Sequence, residues 1–188
     1  FGLAEDCQKT ADALAQMIRN DGCQMRTGFV GTPYILHVLS NYGYTDLAYT
    51  LLCRKEYPSW LYAVGKGATT IWEHWDGIME NGEFWSTDMN SFNHYVYGSV
   101  ADWIYEQAAG IRVVEEYPGF EKARIHPKPG TQLEWLGASI KTRHGKISSQ
   151  WTHTDGVIRY EIVTPVPAQI VIGKKEIKVE PGTYVFWE

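Results

Sequence analysis

The chain has 188 residues, a net charge of −5 and 44% hydrophobic residues, which is close to the average folded protein and allows one ordinary domain or two small ones. It contains no block of Lys and Arg that would attract nucleic acid, and no run of about 18 apolar residues that would span a membrane. We therefore expect neither a nucleic-acid partner nor a membrane-spanning segment.

The three cysteines, Cys7, Cys23 and Cys53, are odd in number and form no Cys-x-x-Cys pair. This pattern argues against a disulfide framework or a zinc site, and reduced thiols favour a reducing compartment such as the cytoplasm. We expect no metal and no cofactor.

Because the chain starts at Phe1 within helical sequence and lacks an initiator Met, we also expect it to be a piece of a longer protein.

The first part of the chain is predicted to form short helices joined by aromatic, glycine-rich loops. A period of apolar residues predicts a helix over 6–20 that is capped by Asp6 and ended by Asp21-Gly22. Thr32 followed by Pro33 predicts the start of a second helix, which runs to residue 41. Thr45 is the predicted cap of a third, over 46–55, and the two form a helical hairpin.

Three further features complete the helical part. The segment 57–60 is predicted to be a loop, and 68–75 a short helix capped by Thr69 or Thr70. Residues 76–93 read as a long loop, a type of segment that is often functional. A helix capped by Ser91 or Asn93 is then predicted to end at Gly110; its apolar stripe consists of Val96, Val100, Trp103, Ile104 and Ala108.

Beyond Gly110 the pattern changes to short alternating runs separated by turns such as His144-Gly145, Asp155-Gly156 and Pro181-Gly182. The predicted strands are 123–125, 132–135, 138–143, 145–152, 157–164, 169–172, 174–179 and 182–187. Their number and spacing favour a small antiparallel β-sandwich. The chain is thus predicted to be an α part, about 1–115, followed by a β part over 121–188.

The most informative segment is 67–77, where Glu73 lies between Trp72 and Trp75 and beside His74 and Asp76. The apolar faces of a pyranose ring pack on aromatic rings, and a carboxylate supplies or removes the proton in glycoside hydrolysis. Glu73 is therefore the main catalytic candidate. The alternative is an idle glutamate at a helix start, where it favours the helix dipole.

Other candidates lie close to Glu73 in sequence. His94 opens the last predicted helix and is a candidate to bind a sugar hydroxyl; the alternative is a structural histidine. Asp76 and Asp88 are possible second carboxylates, and Asp76, one helical turn from Glu73, is assigned a supporting role. Aromatic residues that are candidates for stacking on sugar, with core packing as the alternative, are Trp60, Trp72, Trp75 and Trp85. The remaining tryptophans are assigned to cores: Trp103, Trp135, Trp151 and Trp187.

Three sequence blocks resemble bacterial α-L-rhamnosidases of glycoside hydrolase family 78: TGFVGTP at 27–33, GATTIWEHWDG at 67–77 and SFNHYVYGSVADW at 91–103. The resemblance covers nearly the whole chain and implies the C-terminal end of an (α/α)6 barrel, followed by a β-sandwich. It further implies an inverting glycosidase acting on rhamnose-containing glycosides or polysaccharides. Glu73 would be the general base, and His94, Trp72 and Trp60 would contact the sugar.

The resemblance further implies that the general acid belongs to an earlier barrel segment, which we expect to lie outside this chain. We therefore expect the isolated chain to be inactive, and either to pair with the missing barrel segment or to self-associate through its uncovered apolar faces. Two alternatives stay open: another inverting (α/α)6 glycosidase, or a non-catalytic carbohydrate-binding or structural module.

Overall fold

The computed structural model describes residues 5–188, and these form two compact units, one that ends at Val100 and one that spans Ala101–Glu188. Within the described residues, no helix combines the length and the apolar character that crossing a membrane requires. Cys7, Cys23 and Cys53 are free thiols.

The first unit contains four α-helices: α1 (Cys7–Asn20), α2 (Thr32–Asn41), α3 (Thr45–Cys53) and α4 (Trp60–Gly65). The Asp6 side chain accepts a hydrogen bond from the backbone N–H of Lys9, which confirms the predicted cap of α1. Ala11, Ala15 and Ile18 form its buried face, as the apolar period predicts. The core of the unit includes Met25, Leu36, Leu39, Tyr49 and Leu51.

Several helix ends differ from the prediction. Thr32 lies inside α2 rather than capping it, because its hydroxyl donates back to the carbonyl of Gly28, four residues earlier. Thr45 is likewise inside α3, and the cap position belongs to Tyr44, which makes no side-chain capping bond. The predicted loop at 57–60 contains the start of α4, where Ser59 accepts from the backbone N–H of Tyr62.

The predicted helix over 68–75 is wrong, since the segment consists of bends and irregular backbone with a single turn residue, Trp75. Thr69 and Thr70 therefore cap nothing, and Asp76 is not one helical turn from Glu73. The Thr70 hydroxyl instead donates to the carbonyl of Phe92. A short segment without its own helical ladder is fixed here by hydrogen bonds to a distant part of the loop.

The predicted regular helix before Gly110 is also wrong in detail. The backbone forms a 3₁₀ turn at Val96–Ser99, one α-helical turn, α5, at Val100–Trp103, and a π-helical turn at Ile104–Ala108. Tyr95 precedes the 3₁₀ turn without a side-chain cap, so neither Ser91 nor Asn93 has the predicted role. Gly110, with φ of 74°, does end the segment as predicted.

The second unit contains two four-stranded sheets. The first has the strand order β1-β2-β6-β7, with β1 (Ile111–Val113), β2 (Ala123–Ile125), β6 (Ala168–Ile172) and β7 (Lys175–Val179). The second has the order β3-β4-β5-β8, with β3 (Trp135–Thr142), β4 (Gly145–Thr154), β5 (Val157–Thr164) and β8 (Gly182–Trp187).

Most of the strand predictions are confirmed, with three differences. β1 is not among the predicted strands, and the predicted runs 132–135 and 138–143 merge into β3. β2 and β6 pair in parallel, whereas every other pair is antiparallel, so the sheets are rich in antiparallel pairing but not purely antiparallel.

The tryptophans of this unit divide between core and surface. Trp151 is fully buried with Ile147, Ile162 and Ile170, and its indole N–H donates to the carbonyl of Ala108. Trp103 is buried as predicted. The assignment of Trp135 and Trp187 to the core is wrong, since they are 60% and 59% exposed. Both lie on the side of their strands that faces away from the core.

Candidate active site

Glu73 is held by the chain segment that returns after the long loop. Its backbone N–H donates to the carbonyl of Ser91 at 2.8 Å, and the N–H of His94 donates to the carbonyl of Ile71 at 2.8 Å. The N–H of Ser91 in turn donates to Oε2 of the Glu73 carboxylate at 2.9 Å. These bonds bring the segments of Glu73 and His94, two predicted site residues, side by side. They also fix the orientation of the half-buried carboxylate.

The long loop between these segments is ordered by its own hydrogen bonds. The Asn90 side-chain amide donates to the carbonyl of Gly77 at 2.7 Å, and the backbone N–H of Trp85 donates to the same carbonyl at 3.2 Å. A β-bridge joins Ile78 and Phe84. The loop is therefore built as a supporting structure for the segment around Glu73 rather than as a featureless connection.

Trp75 is part of an aromatic cluster. Its ring stacks on Tyr97, with centroids 3.8 Å apart, and meets Trp60 edge to face at 5.1 Å. The indole N–H of Trp75 donates to the carbonyl of Thr27, and that of Trp60 donates to the carbonyl of Tyr97. Trp60 and Trp72 are buried, at 8% and 6% exposure, so both contribute to packing within this unit.

The aromatic cluster borders a cavity of about 70 Å³, whose lining includes Trp60, Trp72, Trp75 and Tyr97. Ligand pockets usually measure roughly 300–1,000 Å³, so this cavity is smaller than a complete sugar site. Exposed aromatic residues of the same region include Phe29, Phe84, Trp85 and Tyr95.

His94 is positioned by a residue that the sequence analysis did not single out. Its imidazole stacks on the ring of Phe29, with centroids 4.6 Å apart and planes 12° from parallel. Nδ1 of His94 is buried and has no hydrogen-bond partner within residues 5–188. The signal for Phe29 was present, because its flanking glycines, Gly28 and Gly31, mark a tight loop before α2.

The other acidic candidates have different surroundings. Asp76 is half-buried. Burial raises the pKa of Tyr97, and the charges of Tyr57 and Asp76 raise it further. Asp88 is exposed, in a turn where its N–H donates to the hydroxyl of Ser86. Asp76 thus lies within the electrostatic reach of the aromatic cluster, whereas Asp88 is in the loop.

Comparison with known proteins defines the class to which this fold and site belong. A sequence model for the bacterial alpha-L-rhamnosidase 6 hairpin glycosidase domain matches residues 1–108, and one for the bacterial alpha-L-rhamnosidase C-terminal domain matches residues 110–180. The first model belongs to a glycosidase domain and covers more than half of the chain. The chain belongs to the bacterial α-L-rhamnosidase family and corresponds to its C-terminal portion.

Individual relatives agree with this assignment. An alpha-L-rhamnosidase of Streptomyces avermitilis is 42% identical over 146 residues, which are 78% of this chain and 14% of that protein. One from Alteromonas sp. is 40% identical over 158 residues, which are 84% of this chain and 17% of that protein. The chain thus spans less than a fifth of the length of these relatives.

Solved structures show the same fold. The Streptomyces avermitilis alpha-L-rhamnosidase complexed with L-rhamnose superposes with a TM-score of 0.88 at 33% identity, covering 96% of this chain and 20% of that one. The native enzyme from Aspergillus terreus superposes with a TM-score of 0.92 at 34% identity, covering 100% of this chain and 22% of that one.

Proposed function

We propose that this chain is the C-terminal part of an α-L-rhamnosidase that releases terminal α-L-rhamnose from rhamnosides with inversion. Glu73 is the general base. The observation that carries this assignment is the Glu73 carboxylate, which is half-buried and oriented by the backbone N–H of Ser91. A base must be held in a fixed direction relative to the water that it deprotonates, and this bond supplies such a restraint.

In the proposed reaction, Glu73 takes a proton from a water molecule that attacks C1 of the rhamnosyl unit. The bond from C1 to the aglycone oxygen breaks on the opposite face, and a general acid protonates that oxygen. Inverting glycosidases hold the two carboxyl groups about 6.5–9.5 Å apart, which leaves room for the water. We assign the general acid to a segment of the longer protein that lies outside these 188 residues.

His94 and the aromatic residues around Glu73 would bind the sugar. His94 is half-buried and would offer its imidazole to a sugar hydroxyl. Trp72, Trp75 and Trp60 would form or support the rhamnose pocket, and Asp76 would have a supporting electrostatic role. The burial of Trp60 and Trp72 indicates that they act mainly by fixing neighbouring groups, including the stack of Trp75 on Tyr97.

We further propose that residues 1–115 complete an (α/α)6 barrel in the longer protein, with 121–188 as the C-terminal β-sandwich domain. An open hollow of about 860 Å³ beside α1 supports this proposal, since its lining includes Leu14, Met17, Ile18 and Ile35. Met17 is 62% exposed there. Such an apolar surface requires cover, either by the remaining barrel helices or by self-association. The isolated chain, without the general acid, is then inactive.

The test is hydrolysis of p-nitrophenyl α-L-rhamnoside by the full-length protein, with Glu73→Gln compared to wild type. We expect kcat to fall by about 10²–10⁴-fold, the usual contribution of a general base, with an unchanged melting temperature. Glu80→Gln is the control, because Glu80 is an exposed glutamate of the same loop. Near-normal turnover by the Glu73 variant would remove this residue from the mechanism.

A further inference from the structure

The second sheet, β3-β4-β5-β8, has an outer face with an unusual composition. Directly paired residues on antiparallel strands lie on the same face of a sheet, so the strand register shows which residues lie on this face. We call this surface the outer face; its residues are Trp135, Gly137, Ser139, Lys141, Lys146, Ser148, Gln150, Thr152, Arg159, Glu161, Val163, Thr183, Val185 and Trp187.

One end of the outer face is aromatic. The register aligns Trp135 with Thr152, Thr152 with Arg159, and Arg159 with Trp187, so the two tryptophans stand in one row on the edge strands β3 and β8. Three steps between strands separate their backbones by about 14 Å. The guanidinium of Arg159 lies over the Trp187 ring at 5.7 Å and pairs with Glu161 at 2.6 Å. Exposing large apolar rings to water is unfavourable, so Trp135 and Trp187 are candidates for contact with a ligand.

The middle of the outer face is a polar hollow. Gly137 stands opposite Gln150, and Ser139 stands opposite Ser148. A hollow of about 380 Å³, within the range of small-molecule sites, has a lining that includes these residues together with Trp135, Lys146 and Glu161, whose charge is paired with Arg159. A Cβ on Gly137 would lie 3.4 Å from the Gln150 side chain, so the absence of a side chain at Gly137 leaves room in the hollow. The hydroxyl and amide groups here both donate and accept hydrogen bonds.

The other end of the outer face is basic. Lys141 and Lys146 are directly paired across β3 and β4, and both are exposed. Like charges in this arrangement repel, so an anion between them is favourable. Lys141 is six positions from Trp135 along β3, a distance of about 20 Å. The pair is a local concentration of positive charge on a chain whose net charge is −5.

We propose that the outer face is a binding surface for an anionic polysaccharide, distinct from the proposed catalytic site at Glu73. Pyranose rings would pack on Trp135 and Trp187, their hydroxyls would bond to Ser139, Ser148 and Gln150, and a uronic-acid carboxylate would lie between Lys141 and Lys146. An extended sugar chain matches the combination of flat aromatic surface, neutral hydrogen-bonding groups and a cationic end. Such a surface holds an enzyme on a polymer without taking part in hydrolysis.

The test is affinity electrophoresis of the full-length protein in gels that contain soluble polygalacturonate, with hydroxyethylcellulose as a neutral comparison. We expect wild type to be retarded by polygalacturonate, and Trp135→Ala and Trp187→Ala each to raise the dissociation constant about tenfold. The double variant Lys141→Gln/Lys146→Gln should weaken binding similarly, and raising NaCl from about 50 mM to about 500 mM should remove the contribution of the lysines.

Two matched controls distinguish the outer face from general surface effects. Tyr117→Ala removes an exposed aromatic residue from another part of the same unit. Lys174→Gln/Lys175→Gln removes the same charge at the start of β7, from the last turn residue and the first strand residue. Both should bind as wild type does. Because the lysine variants change only surface charge, they test the site even if a tryptophan variant lowers the melting temperature.

The proposal is overturned if wild type shows no retardation by polygalacturonate, which is expected if another part of the full-length protein covers the outer face. It is also overturned if the control variants lose as much affinity as the outer-face variants. Binding is measured without turnover and should be unchanged in Glu73→Gln, so failure of this proposal and failure of the proposed reaction are distinguishable.

Discussion

The backbone N–H of Ser91 donates a 2.9 Å hydrogen bond to Oε2 of Glu73, while the carbonyl of the same serine accepts from the Glu73 N–H at 2.8 Å. One residue, 18 positions later in the chain, thus binds both the backbone and the side chain of the proposed base. The long loop between the two residues has a clear physical role, because it returns the chain to Glu73 with the register that these bonds require.

The two hydrogen bonds between Ser91 and Glu73 predict a difference between two substitutions of Ser91. Ser91→Pro removes the donating N–H and should lower kcat of the full-length protein on p-nitrophenyl α-L-rhamnoside by about 10²-fold, since a small misplacement of a catalytic group costs that much. Ser91→Ala keeps the N–H and should stay within a few-fold of wild type. Equal activity of the two variants, with both folded by circular dichroism, would contradict a positioning role for this bond.

The stack of Phe29 on His94 predicts an effect on substrate binding. Phe29→Leu removes the ring that fixes the imidazole, and aromatic pairs of this kind contribute about 0.5–1.5 kcal/mol. The variant should therefore raise KM of the full-length protein about two- to tenfold and change kcat less. Val30→Ala is the control, because Val30 is the next residue and is 87% exposed. If the two variants have the same KM, Phe29 does not position His94.

Gly110 predicts a large loss of stability in the second unit. It has φ of 74°, and an added Cβ would lie 2.0 Å from the carbonyl carbon of His126, so neither conformation nor space permits a side chain. Gly110→Ala should cost more than about 3 kcal/mol, as positive φ and a backbone clash combine. Gly156 has φ of 84° with no atom within 4 Å, so Gly156→Ala should cost only about 1 kcal/mol.

Urea unfolding of the two glycine variants, followed by circular dichroism, measures this difference. A Gly110→Ala chain as stable as Gly156→Ala would show that the backbone next to His126 relaxes easily.

His126 predicts a pH dependence of stability. Burial first, and then the charges of Lys128, Arg112 and Arg124, lower its pKa to about 4 from 6.5. Between those values the unfolded chain binds a proton that the folded chain does not, so stability rises with pH through this window and is lost as the pH falls from about 6.5 to about 4. The total loss is about 3 kcal/mol.

Urea unfolding of wild type and His126→Gln at several pH values tests this expectation. The variant should lose less stability between pH of about 6.5 and about 4 than wild type does. His144→Gln, at an exposed position, should follow wild type. A His126→Gln profile parallel to that of wild type would mean that other groups cause the acid sensitivity.

The sequence by itself determined the chemistry that this chain offers. The glutamate between two tryptophans, the histidine of block 91–103 and the family resemblance are all local patterns, and so are the α1 cap and most strand positions. These features are readable because they depend on residue types at fixed spacings, where propensity, capping and turn chemistry act over a few residues.

Only the tertiary structure decided how those residues are used. Residues 68–75 are not helical because their hydrogen bonds go to Ser91 and Phe92, and contacts over such sequence distances leave no periodic signal. Strand alternation likewise divides residues between two faces without saying which face is covered. Trp151 is buried and Trp135 exposed although both stand in alternating strands, because the packing of the core selects one side of the sheet.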